Sequence, residues 1–240
     1  MLFKSRRQAG KLLTKELQRR KIRPDVVFGL ARGGMVVAAE VAKILGVELR
    51  PLIVRKIGTP ENPEFAVGAV AEIPKWEVYE TSQTSRPGIV VWWDEKVLRQ
   101  IHVSEEWKKK RVEEKEMEVL KYRNELQFSS HSNHSNHSNH FDHCLIVDDG
   151  AATGISMMAA LSAAKTPLSG VAAIKTIVAL PVASTEAADM LWQAADQVVI
   201  LHKDPYLEAV GVYYRQFKQV SWEKVKQLLE SSYGTNKKIN

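Results

Sequence analysis

The sequence predicts an α/β protein built on a doubly wound, mainly parallel sheet with flanking helices. Three observations predict it. Short apolar runs of strand length alternate with segments of helical period along the whole chain. The runs VVFGL at 26–30 and VELRPLIVRK at 47–56 flank MVVAAEVAKILG at 35–46, which is the strand–helix–strand unit of a parallel sheet. Two apolar runs end in chemistry rather than in turn residues alone: ARGG follows the first, and DDGAATG follows CLIV at 144–147. In doubly wound sheets the ligand site lies at the carboxyl ends of the strands.

Taken in order, the first helix is expected from about Arg6 to Arg20, with Leu12, Leu13 and Leu17 at helical spacing and Pro24 beyond its end. The helix after ARGG stops at Gly46. Residues 55–72, RKIGTPENPEFAVGAVAE, hold two prolines and two glycines without helical period and read as a mobile loop. PGIVVWW at 87–93 reads as a strand, in which Trp92 and Trp93 serve core or interface. The segment 104–126 is a helix dense in opposite charges three and four apart, which reads as a solvated face. After CLIVDD come the loop GAATGIS, the helix MMAALSAAK, the strand GVAAIKTIVALPVAS, the helix STEAADMLWQAAD and the strand QVVILHK. A final amphipathic helix is expected near 221–231. The 240 residues fit one domain.

Residues 129–143 interrupt this pattern. His-Ser-Asn recurs there, placing His131, His134, His137, His140 and His143 three apart. Imidazole binds zinc, copper and nickel, but no carboxylate or cysteine framework completes a site, and the segment reads as a disordered linker.

Composition bounds the function. One cysteine, Cys144, rules out an internal disulfide framework and fits a reducing, cytoplasmic setting. No stretch approaches ~18 consecutive apolar residues, which argues against a membrane span, and the basic N-terminus lacks the apolar centre of a signal peptide. The net charge of +6 suits a small polyanionic ligand as well as nucleic acid, and aromatic and basic residues do not interleave as in known nucleic-acid readers.

The residues at the strand ends suggest which anion. Asp148 and Asp149 are two adjacent carboxylates that can accept from a sugar diol or hold waters around Mg²⁺. Gly150, Ala151, Ala152, Thr153 and Gly154 are small enough for backbone N–H groups to converge on a phosphate, and the next helix aims its positive end at the same point. Thr153 and Ser156 add hydroxyl donors. Arg32, with Gly33 and Gly34 for close backbone approach, forms a second anion-binding loop. Arg55 and Lys56 put two cations at a neighbouring strand end.

This set resembles the type I phosphoribosyltransferases. CLIVDDGAATG resembles their PRPP-binding motif, GLARGG their pyrophosphate loop, and residues 57–72 correspond by position to their closing loop. FKSRRQAGKLL and EAVGVYYRQF extend the resemblance toward a bacterial group of stand-alone members. The resemblance implies a small hood on the sheet. It also implies that Asp148 and Asp149 hold the ribose hydroxyls, and that residues 150–156 hold the 5′-phosphate. Arg32, Gly33, Gly34, Arg55 and Lys56 would then face pyrophosphate, and Mg²⁺ would arrive with PRPP. Closure of the loop would exclude water.

The acceptor is expected to be a nucleobase-like small molecule, and a homodimer is compatible with this reading. In 6-oxopurine enzymes of the family an Asp precedes Thr-Gly; Ala152 stands there, which argues against that substrate class. Tyr206 and Val210, in the segment resembling the hood, are the candidates for lining the acceptor, with Tyr213, Tyr214 and Phe217 as further rings that can stack or fill the core. Glu64 or Glu72 is a candidate base. The competing reading is a PRPP or nucleotide sensor of the same fold, against which the long loop argues. A phosphate-ester hydrolase ranks last, because GAATG lacks an aspartate two residues on.

Overall fold

The computed structural model describes residues 3–74, 88–126, 141–166 and 174–236. Seven strands form the main sheet: β2 (Val26–Ala31), β3 (Glu48–Gly58), β4 (Ala66–Glu72), β5 (Ile89–Trp93), β6 (His143–Val147), β7 (Lys175–Ser184) and β8 (Gln197–Asp204). Their spatial order is β5-β4-β3-β2-β6-β7-β8. The five strands from β3 to β8 in that order run parallel, and β4 and β5 extend one edge antiparallel. A separate parallel pair, β1 (Phe3–Ser5) and β9 (Tyr214–Gln216), forms the hood with the 3-10 turn Val210–Tyr213.

Helices cover both faces. The apolar side chains of α1 (Arg6–Arg19), α2 (Gly33–Leu45), α3 (Glu95–Ile101), α4 (Glu105–Glu125) and α7 (Trp222–Asn236) pack with Leu49, Ile53, Ile57 and Leu145 on one face. Those of α5 (Ile155–Ala164) and α6 (Thr185–Ala194) pack with Phe28, Leu52, Ile146 and Leu180 on the other. With both faces covered, central strands carry continuous apolar runs, as in CLIV and TIVAL. Under the hood, Phe3, Leu207 and Tyr214 bury against Val182.

Three expectations change. The mobile loop at 55–72 shrinks to residues 59–65, because β3 continues to Gly58 and Ala66–Glu72 is a buried strand paired with β3 and β5. Its AVGAVAE sequence is poor in β-branched residues, but pairing on both edges overrides that weak propensity. The linker at 129–143 is shorter at its end: Phe141 is buried and His143 opens β6, while His131, His134, His137 and His140 lie outside the described residues. The charge-rich α4 is not merely solvated, since Val119 is fully buried and Glu118 pairs with Arg55 of β3.

Candidate functional site

The chain leaves β2 toward β3 on one side and leaves β6 toward β7 on the other. β2 and β6 are neighbours in register, Gly29 beside Val147, so their carboxyl ends open a crevice at the point where the winding reverses. Arg32, Gly33 and Gly34 follow β2, and Asp148 and Asp149 follow β6. The Ala31–Arg32 peptide is cis.

The two glycines let these segments meet. A Cβ on Gly34 would lie 2.6 Å from Asp148 Oδ1, 2.8 Å from its Cα and 2.9 Å from the Val147 carbonyl oxygen. A Cβ on Gly33 would collide with Asp149 Oδ2. Their first role is thus to seat the start of α2 on the acidic pair.

The pair itself is electrostatically loaded. Burial is the largest influence on Asp148 and raises its pKa well above the ordinary value, with the Asp149 charge adding to it. Burial also raises Asp149, against the opposing pull of Arg6. Arg6 Nε donates to Asp149 Oδ2 at 2.6 Å, its Nη1 donates to the Lys218 carbonyl at 2.9 Å, and its guanidinium lies 3.7 Å from the Phe217 ring centre. The Asp149 N–H donates to Asp148 Oδ1 at 2.8 Å. The Tyr214 hydroxyl donates to the Asp149 carbonyl at 2.5 Å, and burial raises its pKa.

The following loop is pinned to β7. The Ala151 N–H donates to Val182 O at 3.0 Å, and Ser184 N–H donates to Ala151 O at 2.9 Å. Ala151 therefore anchors the loop instead of offering its amide to a ligand, which corrects its expected role. Thr153 is exposed and Ser156 half-buried. Gly154, with φ of 74°, turns the chain into α5.

No side chain caps α5, and none caps α2 at Arg32. By contrast Ser5, Asp94, Ser104 and Ser184 cap α1, α3, α4 and α6, and Ser221 accepts from Lys224 N–H in the first turn of α7. Both uncapped helices start at the crevice, at the ends of β2 and β6. Uncapped first-turn N–H groups and the dipole behind them suit an anion.

An open cleft of 390 Å³ adjoins the pair, lined by Arg6, Arg32, Gly33, Arg55, Asp149 and Phe217 among others. Three guanidinium groups against one carboxylate make its lining cationic. Arg55 is shared with α4: it pairs with Glu118, which Lys115 also holds at 2.6 Å. Burial works to raise the Glu118 pKa, but Lys115 and Arg55 together hold it below the ordinary value.

Strand alternation sets Arg55 and Lys56 on opposite faces of the sheet. Lys56 is exposed, does not line the cleft, and bears on the site through its charge, which favours ionised Asp148. The two cations expected to act together are thus divided.

The hood residues divide as well. A Cβ on Gly150 would meet Val210 Cγ1 at 2.6 Å, so Val210 packs on the loop that follows β6. Tyr206 is 87% exposed, and its N–H donates to Asp204 at 2.8 Å. Tyr214 is buried, and Tyr213 bonds Asp204 through its hydroxyl. Glu72 pairs with Arg123 at 2.8 Å and is no free base. Glu64 is exposed in the turn at 59–65.

Arg6 and Glu118 were not singled out from sequence, and Tyr214 was read there only as a ring that can stack or fill the core. Arg6 left a signal: it is a cation in the first turn of a helix with no acidic residue there, against the macrodipole. Only 8% of it is exposed. A side chain that breaks a local rule and is then buried marks a place where something else compensates, here Asp149.

A doubly wound sheet that gathers an acidic pair, two uncapped helix starts and a cationic cleft at its reversal point is an α/β domain with a site suited to an anion. Residues 3–200 match the family model of the phosphoribosyl transferase domain, and the chain belongs to that family. A protein of Mycobacterium tuberculosis, in strains CDC 1551 and H37Rv, named provisionally as a phosphoribosyl transferase, is 33% identical over 232 residues. That match covers 97% of this chain and 47% of the relative, so the chain spans about half the length of the curated relatives it matches. The crystal structure of TT1426 from Thermus thermophilus is similar with a TM-score of 0.65 and 33% identity, covering 96% of this chain and 99% of that one.

Proposed function

We propose that the chain transfers a phosphoribosyl group from PRPP to a nitrogenous base and releases pyrophosphate. One observation carries the reading: Asp148 and Asp149 lie half-buried between two uncapped helix starts, with a cationic cleft beside them. Two carboxylates that repel each other, with one arginine between them, have acceptor capacity to spare for the ribose 2′- and 3′-hydroxyls. The amides and hydroxyls of residues 152–156 face the demand of a 5′-phosphate. Arg32 and Arg55 are the cleft cations suited to the diphosphate.

The bond from C1′ to the pyrophosphate oxygen breaks and a bond from C1′ to the acceptor nitrogen forms; the acceptor loses its proton. Alignment and charge stabilisation supply the catalysis, with no covalent intermediate required. Among the described residues no three His, Cys, Asp or Glu side chains form a metal cluster. A spare acidic pair fits a cation that arrives with its ligand better than a resident one. Asp148 and Asp149 would hold Mg²⁺ through water, and it would neutralise charge on the departing pyrophosphate.

Ala152 leaves no carboxylate at the position where 6-oxopurine enzymes of the family carry one, so the acceptor is a base that needs no such partner. Val210, against Gly150, is the hood residue best situated to border it. The expected result is pyrophosphate release with an adenine- or uracil-like base and none with hypoxanthine or guanine. A coupled pyrophosphate assay across such a panel checks it; turnover with hypoxanthine would overturn the acceptor assignment.

A PRPP-sensing role is the second reading, favoured by the shortened loop. The turn at 59–65 is held by its own bonds, Thr59 Oγ1 to the Asn62 carbonyl at 3.0 Å and Phe65 N–H to the same carbonyl at 3.0 Å. A long closing lid therefore no longer argues for the enzyme over the sensor. PRPP binding without turnover on any acceptor would favour the sensor.

A further inference from the structure

All three cleft arginines rest on aromatic rings. Arg6 lies 3.7 Å from the Phe217 ring centre, Arg55 lies 5.1 Å from that of Tyr122, and Arg32 lies 6.0 Å from that of Trp222. The last two rings also stack on each other, with centres 4.2 Å apart and planes inclined at 19°. The result is a continuous ladder, Arg32–Trp222–Tyr122–Arg55. It joins the β2–α2 turn to β3 through two helices, α7 and α4, that are distant in sequence.

Glu118, one helical turn before Tyr122 on the same face of α4, completes the hold on Arg55. Ser221 fixes the helix start that presents Trp222. The rings' stacking and cation contacts run to each other, to the arginines and, for Tyr122, to Lys121 Nζ at 5.8 Å, not to the acidic pair or the loop at 150–156. Simple burial would fill this space with apolar side chains without aligning a guanidinium on each outer face.

We propose that the Trp222–Tyr122 stack is a positioning element that fixes the separation and direction of Arg32 and Arg55, so that the two converge on a diphosphate. This rests on the reading of the cleft as the diphosphate side of the site. The ring faces lower the freedom of two long side chains, and the arginines meet the ligand already ordered. The stack thereby contributes to affinity for a diphosphate and nothing to affinity for a single phosphate held at 150–156.

Calorimetry with two probes tests it: inorganic pyrophosphate for the cleft and ribose 5-phosphate for the acidic pair and phosphate loop. In Trp222→Leu and Tyr122→Leu, pyrophosphate affinity is expected to fall on the order of tenfold. Ribose 5-phosphate affinity is expected to stay within about twofold, a difference of about 0.4 kcal/mol or less. Trp222→Phe and Tyr122→Phe keep a ring and are expected to restore pyrophosphate binding.

Equal losses for both probes, or no rescue by phenylalanine, would overturn the positioning role. A wild-type protein that binds ribose 5-phosphate but not pyrophosphate overturns the inference and leaves the phosphate loop standing. If it binds neither, the functional reading fails and the inference with it. Should the leucine variants not fold, the intrinsic fluorescence decides. Pyrophosphate is expected to alter it in the wild type and not in Trp222→Phe, and the same change in both would overturn the proposal.

Discussion

Asp148→Asn is expected to make the free protein more stable. The substitution keeps the shape and the Oδ1 acceptor that receives the Asp149 N–H, but it removes one of two adjacent, desolvated negative charges. Functional sites store such repulsion, and relieving it typically gains about 1 kcal/mol. For a chain of this size that raises the melting temperature by roughly 2–4 °C.

The gain has a defined pH dependence. Burial raises the folded-state pKa of Asp148 above its ordinary value of 3.8. The folded state therefore binds a proton more readily than the unfolded state. The contribution of this group is fully favourable below the ordinary value and is lost as pH rises through the raised folded value. The stability difference between Asp148→Asn and wild type should vanish below about pH 4 and grow toward neutrality. Urea unfolding of both proteins across that range measures it. A variant less stable than wild type at neutral pH would mean that Asp148 is already compensated in the free protein.

Gly34→Ala is expected to have the largest structural effect of any single methyl addition at the crevice. The substitution lies inside α2, where replacing glycine by alanine alone favours the helix by about 1 kcal/mol. Sterics oppose it and win. The new Cβ would sit 2.8 Å from Asp148 Cα and 2.9 Å from Val147 O, both in the backbone that continues β6. Backbone cannot rotate aside, so α2 must lift from the sheet.

Overpacking of this kind costs about 3 kcal/mol or more, a fall in melting temperature of roughly 6–12 °C. Gly33→Ala is milder for the fold, because the atom it meets is the Asp149 carboxylate, a side chain. It should instead disturb the Arg6–Asp149 pair. Thermal melts rank the two variants; a Gly34→Ala protein as stable as wild type would refute the close seating of α2 on β6.

The chemistry-bearing loops were legible because each sits at the end of a strand whose apolar run is unmistakable. CLIV before Asp148 and VVFGL before Arg32 fixed both the strand and its carboxyl end, and the doubly wound rule put those ends together. β4 was not legible. AVGAVAE has alanine and glycine where strand signals need β-branched residues, and the preceding prolines and glycines imitate a loop. What makes it a strand is pairing with β3 and β5, which is non-local.

The hood strands β1 and β9 have three residues each, too short for any period. α3 was equally hidden, although Asp94 caps it by accepting from Lys96 and Val97. Among the site residues, Glu118 sat in a charge-rich helix where a solvated face was the better expectation, and Arg6 sat at the start of a helix read from its leucines as amphipathic. Burial against a partner more than 60 positions away, Asp149 for Arg6 and Arg55 for Glu118, gave them other roles. Tyr214 became a clamp on Asp149 because the hood pairs the chain's beginning with its end.

The central claim is that the pair at the end of β6 binds the sugar of PRPP. Calorimetric titration of Mg²⁺-PRPP into the wild-type protein and into the double variant Asp148→Asn, Asp149→Asn tests it most directly. Saturable binding by the wild type and none by the folded double variant is the predicted result; equal affinity in the two proteins would contradict the account.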